Sequence, residues 1–115
     1  MQRDDCLFCK IIAKKIPAKF AHEDEALAAI YDINPQAPVH LLVIPKKHIS
    51  GVAEASVSDQ ALLGDMMLCA RQLASERKLE KGYRLVLNNG TEAGQSVFHI
   101  HLHLLGGRKM TWPPG

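Results

Sequence analysis

The sequence predicts an α+β domain: a five-stranded, mainly antiparallel sheet with one long helix and a short N-terminal helix. Three observations predict it. Leu62, Met66, Cys69 and Leu73 recur at steps of four, three and four, the spacing of one helix face. Residues 99–105 alternate imidazole and apolar side chains over His99 to Leu104, as a strand with two unlike faces does. Most stretches between the predicted strands are too short to carry a helical crossover, so neighbouring strands run antiparallel.

The elements follow in order. Leu7/Ile11 and Phe8/Ile12 stand at helical spacing, so residues 6–14 read as the short helix, with Pro17 ending it. Residues 18–23 and 26–32 read as two strands joined at the polar turn Glu23-Asp24-Glu25. Two prolines and an asparagine make Asp32 to Pro38 a loop. His40 to Ile44 is a strand, apolar after its histidine and so covered on both faces, and Pro45 closes it. The long helix spans 57–79, capped by Ser56 or Ser58; Lys78 and Lys81 suit its last turn and Gly82 the residue past its end. Tyr83 to Leu87 is a strand, 88–95 a glycine-bearing loop, 98–105 the last strand and 106–115 an irregular tail. Residues 1–115 make one domain with a flexible N-terminus at 1–5.

Composition narrows the function. Apolar residues at 47% and charged residues at 23% describe an ordinary globular chain. A net charge of +2, with Lys and Arg scattered apart from Lys14-Lys15 and Lys46-Lys47, argues against a nucleic-acid surface. No apolar run is long enough to span a bilayer, and residues 1–5 begin no signal peptide, so a cytoplasmic setting is expected. Three cysteines there are free thiols or metal ligands rather than a disulfide framework; Cys69, on the apolar helix face, reads as core.

His99-Ile100-His101-Leu102-His103 carries the chemistry. On one strand the three imidazoles share a face, roughly 7 Å from one to the next, while Ile100, Leu102 and Leu104 pack on the long helix. Such a row is a solvated face that happens to use histidine, a metal site, or a nucleophile with its supporting groups. The neighbours favour an anion. His40 opens a strand that can point at the same face, and Gln95 and Ser96 follow the glycines of 90–94, where backbone N–H groups can approach a phosphate.

With these residues the sequence resembles the histidine triad nucleotide-binding family, in its phosphoramidate-hydrolase branch. The resemblance rests on His99 to Leu105, on Asp32 to His40, Leu42 to His48, Gly94 to Phe98 and the terminal Trp112-Pro113-Pro114-Gly115, and it runs over nearly the whole chain. It implies that His101 attacks the α-phosphorus of an adenosine 5′-phosphoramidate, or of a related aminoacyl-adenylate, and that water then frees the 5′-monophosphate. It further implies that the His99 carbonyl holds the His101 tautomer. His103, Gln95, Ser96 and the backbone at Gly94 would donate to the phosphate, and Ser96 and His40 would join the proton relay. Asp32 would bond the ribose, Asn88 the phosphate or ribose, and Ile33, Phe20 and Ile44 the purine. Without the resemblance, a loop role such as an Asx-turn is the favoured reading of both Asp32 and Asn88.

Cys6-x-x-Cys9 is half of a zinc site. In some members of the family His48 and His99 complete it as structural zinc; the alternative is two thiols packed in the core. The resemblance also implies a homodimer in which the 83–88 strands pair into one continuous sheet and the tail reaches the partner's site; Thr111 stands where close relatives often carry histidine. Two rivals remain. One is a dinucleoside polyphosphate hydrolase, whose branch typically carries glutamine in place of His103. The other is a nucleotide-binding or interaction module with incidental hydrolysis.

Overall fold

Cys6 starts the first helix. In this computed structural model, which describes residues 3–115, its backbone is extended and its sulfur accepts the Cys9 N–H at 3.3 Å. It thereby caps helix α1 (Leu7–Ile12). The helix ends before Pro17 is reached: Lys14 turns left-handed at φ 64°, and the N–H groups of Lys14 and Lys15 fold back to the carbonyls of Ile11 and Lys10. That pair of bonds is a Schellman closure, which satisfies the last carbonyls of the helix. The segment 1–5 expected to be flexible lies partly outside the described residues; residues 4–5 form a turn, and the Arg3 carbonyl accepts the Cys6 N–H at 3.2 Å.

Strands β1 (Phe20–Glu23) and β2 (Leu27–Tyr31) form a hairpin. Asp24 sets its turn, one carboxylate oxygen accepting the N–H groups of Ala26 and Leu27 at 2.8 Å each. Adding β3 (Val39–Pro45), β4 (Tyr83–Val86) and β5 (Leu102–Gly106) gives five strands in the order β1-β2-β3-β5-β4, every pair antiparallel. β1 and β4 are therefore the two edges.

Helix α2 (Gln60–Glu76) follows a 3-10 turn at Val57–Asp59, where the Asp59 carboxylate accepts the Ser56 N–H at 2.9 Å. It buries Met66, Ala70, Leu73 and Ala74 against Leu41, Val43, Ile100, Leu102 and Leu104 on one face of the sheet. Leu62 and Cys69 border this stripe, half-buried. The helix stops short of the expected Gly82. Lys78 takes the left-handed position at φ 58°, and the N–H groups of Lys78 and Leu79 bond to the carbonyls of Ser75 and Ala74. Leu79 then folds over β5. A Cβ on Gly106 would come within 2.6 Å of a Leu79 methyl, so a larger residue there would make the Leu79 side chain shift.

On the other face Phe8, Ile11 and Ile12 of α1 pack on Ile30, Leu42 and Ile44. β3 is thus covered on both sides, which is why its run is apolar at successive positions. Among the described residues no helix is long and apolar enough to cross a membrane.

Candidate active site

The last strand is shorter than its alternating pattern predicts. It begins at Leu102, not at Phe98, because the ladder to β3 stops at Val43↔Leu102. The Ile100 N–H instead reaches the Ile49 carbonyl, at 2.6 Å, in the loop after Pro45. The alternation of faces nevertheless continues upstream. Ile100 joins the α2 side, while the rings of His99 and His101 lie against Phe8 of α1. The row is not a solvated face: His99 and His101 are 0% and 8% exposed, and His101 and His103 stand 5.0 Å apart between ring centroids.

The hydrogen bonds assign the protons. The backbone N–H of Gln36 can only donate, and it donates to His40 Nδ1 at 3.0 Å. Neutral His40 must then carry its proton on Nε2, which lies 2.9 Å from His103 Nδ1 and 3.5 Å from Asp32 Oδ2. His103 accepts at Nδ1 and carries its proton on Nε2. His101 has the opposite arrangement. Its Nδ1–H donates to the His99 carbonyl at 2.7 Å, leaving the Nε2 lone pair without a protein partner among the described residues. The two rings, 5.0 Å apart between centroids, therefore hold opposite tautomers, His101 with a lone pair at Nε2 and His103 with a proton there.

Burial keeps these rings uncharged. Loss of hydration, reinforced by the nearby His101 and His40 rings, holds His103 at about 4. His101 and His40 are lowered by the same desolvation, opposed in part by the Asp32 carboxylate. At neutral pH the tautomers just described are the ones present.

A second group lies behind the first. Cys6, Cys9, His48 and His99 offer four ligand atoms, all within 4.8 Å of one another. His99 Nδ1 is 3.3 Å from Cys6 Sγ, 3.5 Å from Cys9 Sγ and 3.1 Å from His48 Nδ1, and Cys9 Sγ is 3.5 Å from His48 Nδ1. The other His99 nitrogen donates to the Pro45 carbonyl at 2.7 Å, which turns the Nδ1 lone pair into the cluster. Desolvation depresses both rings, His99 to about 4, and raises the Cys9 thiol. Two thiols and a second imidazole thus converge on one lone pair, more donors than it can accept. Among the described residues the buried His48 Nε2 has no partner. This is a possible metal-binding cluster.

The remaining site residues divide. Asp32 Oδ1 accepts the Asn34 N–H at 2.8 Å, an Asx-turn, while its other oxygen faces His40. Gly94 is left-handed at φ 98°, and Asn88 Nδ2 lies 3.8 Å from where a Gly94 Cβ would stand. Gln95 is not free to contact a ligand. It is buried, its oxygen takes the Gly90 N–H at 2.8 Å, and its nitrogen donates to the carbonyls of Ser50 and Val97. Ser96 is exposed and borders a cavity of about 440 Å³ shared with Cys6, His48 and Phe98. Ile33 is fully exposed, Phe20 half-buried under the Lys14 ammonium, and Ile44 sealed in the α1 cluster, where it offers a ligand no surface. A larger cavity of about 780 Å³, between Lys78–Arg84 and Gly107–Met110, includes none of the histidines.

The sequence reading missed Phe8 and the main chain of Gln36. Phe8 was visible as an apolar residue between two candidate ligands. A backbone donor leaves no mark in side-chain identity.

Known proteins share this sequence and fold. The HIT domain profile matches residues 13–110. An uncharacterised HIT-like protein of Synechocystis sp. is 50% identical over 112 residues, covering 97% of this chain and 98% of the relative. The crystal structure of a HIT family hydrolase from Legionella pneumophila is 54% identical and superposes with a TM-score of 0.95, over 96% of this chain and 100% of that one. A histidine triad nucleotide-binding protein from Candida albicans is 32% identical with a TM-score of 0.81, over 95% of this chain and 83% of that one.

Proposed function

This chain belongs to the HIT domain family, and from that premise we propose that it hydrolyses the P–N bond of purine nucleoside 5′-phosphoramidates through a nucleotidyl-His101 intermediate. The observation that carries the reading is the pair of rings locked in opposite tautomers. His101 Nε2 supplies an electron pair at neutral pH without prior deprotonation. It bonds to the α-phosphorus as the P–N bond breaks, and the departing amine takes the proton of the Ser96 hydroxyl, which the water of the second step restores; His40 orients His103 through Nε2–H and keeps that proton. His103 Nε2–H stands beside it to donate to a phosphoryl oxygen as charge develops there. Water then takes the phosphorus from His101, releasing the 5′-monophosphate and restoring the ring. Asp32 retains acceptor capacity for ribose hydroxyls beyond its Asx-turn, and Asn88 and the Gly94 backbone border the phosphate. Gln95 acts by bracing that loop.

The Cys/His cluster fits zinc. A tetrahedron with about 2.3 Å to sulfur and about 2.0 Å to nitrogen has edges of roughly 3.3 Å between nitrogens and roughly 3.5 Å between nitrogen and sulfur. The distances of 3.1 Å and 3.3–3.5 Å lie close to these. Bound zinc would supply structural cross-linking through Cys6, Cys9, His48 and His99, and the His99 carbonyl stays available to His101. We assign the protein to the cytoplasm, where its free thiols are stable, and to a homodimer.

Turnover of an adenosine 5′-phosphoramidate and of diadenosine tetraphosphate, by wild type and by His101→Ala, tests the reading. The expected result is phosphoramidate cleavage that falls by about 10³-fold or more in the variant. Equal rates in both proteins would remove the nucleophile. Preference for the dinucleotide would favour the polyphosphate hydrolase, and nucleotide binding without turnover a binding module.

A further inference from the structure

Helix α1 is six residues long, too short to hold itself in place by its own hydrogen bonds. Its position is fixed by what it touches. Cys6 caps it and Cys9 lies in its first turn, and both sulfurs face the His99 ring. Phe8 stands between them and is 5% exposed. It meets the His101 ring edge-on, with centroids 5.0 Å apart and planes at 88°, and the His99 ring at 6.0 Å and 73°.

Among the described residues the His101 ring has one directional tie, from Nδ1 to the His99 carbonyl. A hydrogen bond at one nitrogen tolerates tilting, and tilting swings Nε2 away from any fixed phosphorus. A perpendicular aromatic edge packed against the ring removes that freedom. We propose that Phe8 is the positioning residue for the His101 ring, and that Cys6 and Cys9, by seating α1, set where Phe8 stands. The inference rests on His101 as the nucleophile. Phe8 acts through that ring and not on the phosphate, so the cluster and the reacting nitrogen are mechanically joined through one side chain.

The test uses the whole chain and two readouts. Phe8→Leu keeps an apolar side chain and loses the flat edge; Cys6→Ala/Cys9→Ala frees α1, with Cys9→Ser in its place should the double variant not fold. Steady-state kinetics on an adenosine 5′-phosphoramidate give kcat and KM, and ¹⁵N spectra of the imidazoles without substrate read the Nδ1–H of His101. Small misplacements of reacting groups are costly, so kcat should fall roughly tenfold in each variant with KM within about twofold. The His101 Nδ1–H signal should broaden or shift in both. A folded Phe8→Leu protein with wild-type kcat and an unchanged signal overturns the proposal. So does a rise in KM alone, which would make Phe8 a substrate contact, or cysteine variants that leave His101 undisturbed. Should the wild type turn nothing over, the proposed function fails, while the His101 signal still decides the positioning.

Discussion

Gln36 lends the site only an N–H, yet that group dictates the protonation of two imidazoles in series, His40 and then His103. The cost of the arrangement is carried by the folded state at low pH. His103 sits at about 4 in the fold, chiefly through lost hydration, against about 6.5 for an ordinary imidazole. As pH falls below 6.5 the unfolded chain takes up the proton first. Stability from the neutral ring is therefore complete above 6.5 and lost progressively toward 4. Urea unfolding midpoints of wild type and His103→Gln at pH 7.5 and pH 5 check this. The acid loss should be smaller in the variant by about 1 kcal/mol, the full shift being discounted for residual solvent screening. Equal losses would mean that His103 is not held neutral.

The elements were legible where periodicity spoke, and illegible where one chain segment answers to another. Leu62 to Leu73 located α2, and the apolar His40–Ile44 run located β3 with both faces covered. The start of β5 was misplaced because the Ile100 N–H pairs with the Ile49 carbonyl, a partner no pattern in 98–105 announces. The chemistry-bearing residue types were legible too, but not the burial of His99 and His101, which depends on where α1 docks. Helix ends were misread for a different reason: both helices close on lysine in the left-handed region, at Lys14 and Lys78, where glycine is the usual signal. That choice leaves strain to relieve. A side chain there costs about 1–2 kcal/mol, and glycine loses part of that gain, about 0.5–1 kcal/mol, to its freer unfolded chain. Lys78→Gly should thus raise stability by roughly 0.5–1 kcal/mol, read as a melting temperature a few degrees higher. Lys78→Ala, which keeps the Cβ, should change little. No gain from glycine would place the helix end elsewhere.

At the scale of the molecule, the β4 edge of the sheet is left open. β4 pairs with β5 on one side only. On α2, Met67 is 50% exposed, and Tyr83 at the start of β4 is 40% exposed. An unpaired strand edge invites pairing, and a second copy about a two-fold axis covers the same edge on both chains with one contact. Pairing β4 with its counterpart would extend the sheet, and α2 would meet its own image. In solution the protein should therefore have twice the mass of the chain. Met67→Lys would bury an ammonium against an apolar partner, so by light scattering the dimer should dissociate at concentrations at least about tenfold higher than wild type does. The substitution lies outside the histidine cluster, so its thermal unfolding as a monomer also reports how much of the fold's stability the partner supplies. A wild-type monomer, or a Met67→Lys protein as tightly associated as wild type, would refute this interface.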